Sequence, residues 1–434
     1  MTLIKNAHIL TVDHNKTIAN GYLAIDNGKI AALGAGQPPQ TMTDTASQTI
    51  DAHGAIAMPG LINAHTHSAM TLFRGYAGGH PLQQWLEQFI FPVEDKLTPA
   101  DCRAGAALAI CEMLASGTTC CADMYFFMES FAKTVLESGM RANLSRCGQY
   151  IGPEKEDFSD DVRLREQIAL YDAYNGAGGG RLKIDIAVHS VYLSTPNYIR
   201  AAHALARERG ARFHIHLSET KKENADCFAA HGCSPTEYLY DLGALDELTL
   251  AAHCVHLTER DMALLAEAEA SAVHNPGSNC KLASGIASTA DMLARGVNVA
   301  LGTDGMSSNN NLDMFREMYL AALLPPAVTL DAQSMDAGKA LYMATAAGAK
   351  ALGRDGEVGM LREGLAADLI LVDTTAPNMT PCHSAADNLV YAASGANVCM
   401  TMVDGRILYR DGEFLTIDYE KARAEISKSV ERLF

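Results

Sequence analysis

Through its middle, over roughly 300 residues, the chain alternates segments of strand pattern with segments of helix pattern, and nothing else in it restricts the fold so strongly. Thr98-Pro99 reads as an N-cap and first helical position, Ala106, Ile110, Met113 and Leu114 follow at helical spacing, and Gly117 closes the helix before a strand at 118–124. The pattern returns at Thr195-Pro196, with Ile199, Ala202, Leu205 and Ala206 on one face, Gly210 as the stop, and a strand at 211–217. Alternation of this kind implies a parallel sheet. A closed (β/α)8 barrel of TIM type suits the length better than an open sheet with a Gly-rich dinucleotide turn, a motif the sequence lacks.

The two ends read differently. Strand patterns flank the turn pair Asn27-Gly28 near the start and Asp404-Gly405 near the end, and each pair is the usual signal for a type I′ hairpin. We therefore expect an α/β protein in which residues 58–354 form the barrel. Residues 1–57 and 355–434, the latter with a terminal helix, build one small discontinuous β-sandwich from both chain ends.

Composition narrows the partners. No apolar run approaches the roughly 20 residues needed to span a bilayer, and the first residues lack a basic stretch followed by a long apolar one. Eleven cysteines without CxxC spacing fit reduced thiols in a core, so we expect a cytoplasmic protein. A net charge of −17 disfavours nucleic acid and anionic membranes. The expected partner is a small neutral or zwitterionic molecule, and a homo-oligomer is compatible with the same composition.

In such a barrel the reacting groups come from the C-terminal ends of the strands. His65 and His67 end the apolar run Gly60-Leu61-Ile62-Asn63-Ala64, and residues two apart on a strand face the same side, where one divalent metal uses both. Alternation also places His189 and His253 at strand ends, and Asp304 in the turn Gly302-Thr303-Asp304-Gly305 after a very apolar strand. His214 and His216 share a face; His216 lies nearer the strand end and is the expected ligand, with Ser218-Glu219 just beyond. Taken singly, a strand-end histidine is more often a hydrogen-bonded core residue, and Asp-Gly is common in turns. Four polar strand ends beyond the first pair exceed what packing alone would give.

The runs Pro59-Gly60-Leu61-Ile62-Asn63-Ala64-His65-Thr66-His67, His216-Leu217-Ser218-Glu219-Thr220, His253-Cys254-Val255-His256-Leu257, His274-Asn275-Pro276-Gly277-Ser278-Asn279 and Gly302-Thr303-Asp304-Gly305 resemble the amidohydrolase superfamily in order and spacing. Within it the chain most resembles the 5′-methylthioadenosine/S-adenosylhomocysteine deaminases, through the stretch ending Phe91-Pro92-Val93-Glu94, the pair Ser145-Arg146, and Ser307-Ser308-Asn309-Asn310-Asn311-Leu312-Asp313-Met314-Phe315. That resemblance implies metal-dependent hydrolytic deamination of an adenine nucleoside. His65, His67, His216 and Asp304 would hold one divalent ion, zinc or else ferrous iron. Glu219, His253 and Asp304 would carry the proton transfers. Glu94 would accept the ribose hydroxyls, Arg146 a substrate carboxylate and His189 a ring nitrogen.

Binuclear relatives bridge their metals with a carboxylated lysine, whereas Lys183 here stands at the beginning of its strand, which favours a single ion. Cys147 occupies a place where glycine is expected, and 149–158 holds no second arginine to clamp an amino-acid carboxylate. Both departures favour methylthioadenosine or adenosine over S-adenosylhomocysteine. The alternative is a deaminase or chlorohydrolase of a free guanine, cytosine or triazine ring, since the metal ligands alone do not separate these substrates.

Overall fold

The computed structural model describes residues 1–13, 16–80 and 82–434. The chain opens with strands β1 (Thr2–Leu10), β2 (Thr17–Asp26), β3 (Lys29–Ala35), β4 (Gln48–Asp51) and β5 (Ile56–Pro59). Asn27 and Gly28 have φ of 49° and 79°, as a type I′ turn between β2 and β3 requires. Met58 and Pro59 still pair within this sheet, and the next strand begins after Gly60.

The barrel strands follow: β6 (Leu61–His67), β7 (Thr118–Tyr125), β8 (Arg141–Gly148), β9 (Leu182–Ser190), β10 (Phe213–Leu217), β11 (Thr249–His253), β12 (Ser271–His274), β13 (Asn298–Leu301) and β14 (Asp304–Gly305). Neighbours from β6 to β13 pair in parallel and in sequence order. The eighth stave is broken in two. Its first part, β13, pairs with β12, and its last part, β14, pairs with β6, so the break closes the ring. At the break the ladder is replaced by a side chain: Asn63 Nδ2 donates to Thr303 Oγ1 at 2.7 Å, and Thr303 N–H donates to Asn63 Oδ1 at 3.0 Å. Gly302 is required there, because a Cβ would lie 2.8 Å from the His65 backbone and 2.5 Å from Asn275 Oδ1.

The helices between strands follow the sequence signals. Pro99–Ala115 starts with a reciprocal capping box between Thr98 and Asp101, and Pro196–Arg209 stops at Gly210, whose φ is 61°. Their apolar faces pack on strands that are buried throughout, as in β7.

The chain ends return to the first sheet. β15 (Leu369–Val372), β16 (Val398–Val403), β17 (Arg406–Arg410) and β18 (Glu413–Phe414) extend it from β5, giving nine strands that share one core of Ile4, Ile9, Leu23, Leu369, Leu371 and Met400. The second hairpin turn, Asp404-Gly405, also has positive φ at both residues. It abuts the first: Ala367 N–H donates to Gly28 O at 2.8 Å, and Gly405 N–H to Ala367 O at 3.1 Å. The final helix, Tyr419–Leu433, packs against the barrel helix Pro99–Ala115.

Candidate active site

The ends of β6, β10 and β14 bring three imidazoles and a carboxylate together at the floor of a cavity of about 1000 Å³. Each histidine is oriented through Nδ1. His67 Nδ1 donates to Met124 O at 2.5 Å, His216 Nδ1 to His189 O at 2.7 Å, and His65 Nδ1 shares a hydrogen bond of 2.9 Å with His214 Nε2. The Nε2 atoms are thereby turned to one point. Asp304 is fixed in the same manner: Ser278 and Ser308 hydroxyls donate to Oδ2 at 2.6 and 2.8 Å, which leaves Oδ1 facing His65 and His67.

The spacing fits one small cation. Donors about 2.0–2.2 Å from a tetrahedral ion stand about 3.3–3.6 Å from one another. Here Asp304 Oδ1 lies 3.4 Å from His65 Nε2 and 3.2 Å from His67 Nε2, and His67 Nε2 lies 3.3 Å from His216 Nε2. His65 Nε2 is buried without a well-formed hydrogen bond, which is costly unless something else completes it. The charges agree. Burial pulls His65 down to about 3 and also opposes a charged His67, yet the bond to Asp304 and that carboxylate's charge lift His67 to about 9. Asp304 is itself held well below the usual carboxylate range, against the effect of burial, by His65 and His67. A carboxylate that draws a proton so strongly onto a neighbouring imidazole is in a site built for positive charge. The residues could thus hold a divalent metal ion. Lys183 has no part in it: at the opposite end of the barrel its Nζ donates to Gly353 O at 2.9 Å and pairs with Glu357.

Glu219 and His253 stand beside the cluster on the same cavity wall. Glu219 Oε2 lies 3.8 Å from His253 Nε2, and Ser284 donates to Glu219 Oε1 at 3.3 Å. Burial raises Glu219, with His253 pulling in the other direction, so the carboxyl holds a proton more readily than a surface one and suits a donor's role. His253 Nδ1 is paired with Asn279 Oδ1 at 2.9 Å, which directs its Nε2 to the site. His189 lines the cavity, kept neutral by burial with its pKa near 3, its ring 4.6 Å from that of His216. His274 is not brought in. It is buried among the described residues with no hydrogen-bond partner on either ring nitrogen.

Glu94 ends a short helix, Phe91–Glu94, and turns into the cavity rather than to solvent. Tyr125 donates to its Oε1 at 2.5 Å, and burial raises its pKa. Arg146 also lines the cavity, but its guanidinium is engaged, with Nε donating to Glu166 Oε2 at 2.6 Å and Nη1 bonded to Cys147 O. A second arginine does line the wall. Arg163, on the helix Val162–Tyr174, lies beyond the 149–158 window in which the sequence suggested none. Asp161 as N-cap was the available signal, since it starts a helix whose first turn faces the site.

Fold and site together define a barrel hydrolase of the metal-dependent kind. Residues 56–408 match the amidohydrolase family model, and the chain belongs to the amidohydrolase family. It is 44% identical over 432 residues, 99% of each chain, to a 5-methylthioadenosine/S-adenosylhomocysteine deaminase of Moorella thermoacetica. A 5′-deoxyadenosine deaminase of Methanosarcina mazei is 43% identical over 432 residues, 99% of this chain and 98% of that one. Among solved structures, a zinc-bound adenosine deaminase from Xanthomonas campestris superposes with a TM-score of 0.94 at 34% identity, over 100% of this chain and 98% of that one.

Proposed function

We propose that this chain hydrolyses the amino group of an adenine nucleoside, adenosine or its 5′-methylthio or S-homocysteinyl derivatives, to the hypoxanthine nucleoside and ammonia. The observation that carries this reading is Glu94, a half-buried carboxylate on the wall of the cavity that also holds Glu219 and the metal donors. A nucleoside needs an acceptor for two vicinal hydroxyls. A free guanine, cytosine or triazine ring leaves Glu94 without a task. The names of the Moorella, Methanosarcina and Xanthomonas proteins support the same substrate class.

His65, His67, His216 and Asp304 would hold a divalent ion, zinc in our reading and ferrous iron next, which would supply Lewis acidity of the kind that brings the pKa of a water to about 7. The remaining work falls to side chains. His189 holds a ring nitrogen of the base, and Glu219 gives its proton to N1, which makes C6 more electrophilic. Asp304 and His253 orient the water that adds at C6 and accept one of its protons, which passes to the amino nitrogen as the C6–N bond breaks and ammonia leaves; the second water proton returns from the C6 hydroxyl to Glu219. Glu94 accepts the ribose hydroxyls and sets the depth of the base. Because Arg146 is already paired with Glu166, neutral 5′ substituents come ahead of a carboxylate, for which Arg163 is the cation on the wall without an acidic partner among the described residues. Eleven free cysteines, most of them buried, support a cytoplasmic setting.

The test is a substrate panel. Adenosine, 5′-deoxyadenosine, 5′-methylthioadenosine, S-adenosylhomocysteine, guanine, cytosine and a chlorotriazine are each followed for released ammonia or chloride and for the ultraviolet change of adenine to hypoxanthine. Turnover confined to the nucleosides is the expected result. Faster turnover of a free ring would overturn it.

A further inference from the structure

The turn that carries Glu219 has an anchor that the proposed chemistry does not use. Glu223 lies in the first turn of the helix Lys221–His231 and is 6% exposed. Its two carboxylate oxygens accept the backbone N–H of Ser218 at 2.9 Å and of Glu219 at 2.7 Å. The N-cap is Thr220, whose Oγ1 accepts from Glu223 N–H at 3.1 Å. In a capping box the acidic side chain reaches back to the N–H of the N-cap residue itself. Glu223 passes over that position and takes the two N–H groups before it. Its carboxylate therefore clamps the backbone of Glu219 and not merely the start of a helix.

The clamp extends to a second residue of the site. Ser218 sits in the left-handed region, φ 50°, and its carbonyl accepts from Val255 and His256 N–H at 3.1 and 2.9 Å. Those groups lie two and three residues past His253, which ends β11. Next to Glu223, Asn224 donates Nδ2 to His256 O at 2.5 Å, His256 Nε2 donates to Ser284 O at 2.6 Å, and Ser284 Oγ returns to Glu219 Oε1. Glu219 is thus held at its backbone from one side and at its carboxylate from the other. No lysine or arginine pairs with Glu223 among the described residues, so backbone N–H groups are its main compensation.

We propose that Glu223 is a positioning residue for the reaction: by fixing the Ser218–Glu219 backbone it sets the Glu219 carboxylate against His253 and the cavity, and turnover depends on it although it touches neither substrate nor metal. The inference rests on the role proposed for Glu219. A catalytic group displaced by about 1 Å can lose on the order of 10²-fold in rate. Glutamine at 223 keeps one acceptor and loses the other; alanine loses both.

The experiment compares E223Q, E223A, E219Q and the double variants for nucleoside turnover, with metal content and melting temperature measured on the same preparations. We expect kcat to fall about 10-fold in E223Q and about 100-fold in E223A, with KM within about 2-fold and metal content unchanged. In the E219Q background, removing Glu223 should cost less than about 3-fold, since the group it positions has gone. An undiminished kcat in E223Q and E223A, a full loss that persists in the E219Q background, or a loss that only tracks lost metal would each overturn the inference. If E223A does not fold, the nearly isosteric E223Q carries the comparison. Should E219Q alone keep wild-type turnover, the role of Glu219 falls and this inference with it; a loss in E219Q but none at 223 overturns this inference only.

Discussion

Where the barrel strands begin, Arg354 is buried and all of its guanidinium nitrogens are engaged: Nε with Asn143 Oδ1 at 2.6 Å, Nη2 with the carbonyls of Ala142 and Arg181 at 2.9 and 3.0 Å, Nη1 with Gly180 O and Glu357. Arg141 beside it makes a two-pronged pair with Asp368 at 2.7 and 3.0 Å. Where the strands finish, polar groups are buried to the same degree but left incomplete, with His65 Nε2 lacking a proper partner and one carboxylate oxygen shared between His65 and His67. Arg354 and the metal-end donors are alike in burial and not in satisfaction. A finished network fixes shape, whereas donors that converge on a common point without completing one another are arranged for something yet to arrive.

Breaking either end should give opposite signatures. Glu219→Gln should leave metal content and melting unchanged while kcat falls about 10²- to 10⁴-fold, the worth of one positioned proton donor; steady-state rates beside elemental analysis decide it, and retained turnover would remove Glu219 from the mechanism. Arg354→Met, at the other end, should cost about 3–5 kcal/mol of stability by leaving buried acceptors without donors. Its folded fraction should keep kcat and KM within about 2-fold, as read from denaturant curves and kinetics together. A loss of activity without a loss of stability would show that the two ends are not separable as described.

Glu94→Ala tests where substrate recognition joins the metal end. Each charge-assisted contact to a ribose hydroxyl is worth about 1.5–3 kcal/mol, so kcat/KM for the nucleoside should fall by about 10-fold or more. The 2′,3′-dideoxy analogue never made the contact and should lose far less. Equal losses would discredit ribose recognition and favour the free-ring substrate.

A pH-dependent effect concerns Glu317, buried beneath the metal end, where it accepts from Gly277 N–H at 2.9 Å and Asn309 Nδ2 at 2.7 Å. Burial lifts its pKa from 4.5 to about 7. The folded protein therefore holds this proton more tightly than the unfolded chain. Its contribution to stability is complete below pH 4.5, declines as pH rises towards 7, and is lost above that, with a slope of at most about 1.4 kcal/mol per pH unit. Denaturant curves from pH 4.5 to 8 should show this slope in the wild type and its reduction in Glu317→Gln. Identical slopes would place the carboxyl in a wetter environment than the structure gives it.

What the sequence made legible was local. Alternation of period two placed His65, His67, His189, His216 and His253 on strands and at the right ends of them, and Lys183 at the wrong end for a bridge, because facing and position along a strand follow from near neighbours. Asn-Gly and Asp-Gly marked both hairpins for the same reason. Contacts made across the barrel were not legible. Asn63 replaces a stretch of ladder by bonding Thr303, 240 residues away, and Ser278 and Ser308 fix Asp304 from two separate loops. His214 shared a face with His216, yet its bond to His65 depends on the curvature that brings β6 and β10 together across the interior. Nothing local in Glu94-Asp95-Lys96 gives the direction of Glu94, which the irregular helical segment 86–94 turns inward against Tyr125. Arg163 escaped because the Asp161 N-cap marks where its helix starts but not which way the first turn faces.

The most direct test of the contrast between the two ends is the metal stoichiometry of the purified protein, measured by elemental analysis together with His216→Ala and Asp304→Asn. The account predicts one divalent ion per chain in the wild type, a marked loss in both variants, and restored nucleoside turnover when zinc is returned to chelated wild-type protein. Two ions per chain, or an unchanged ion content in both variants, would contradict it.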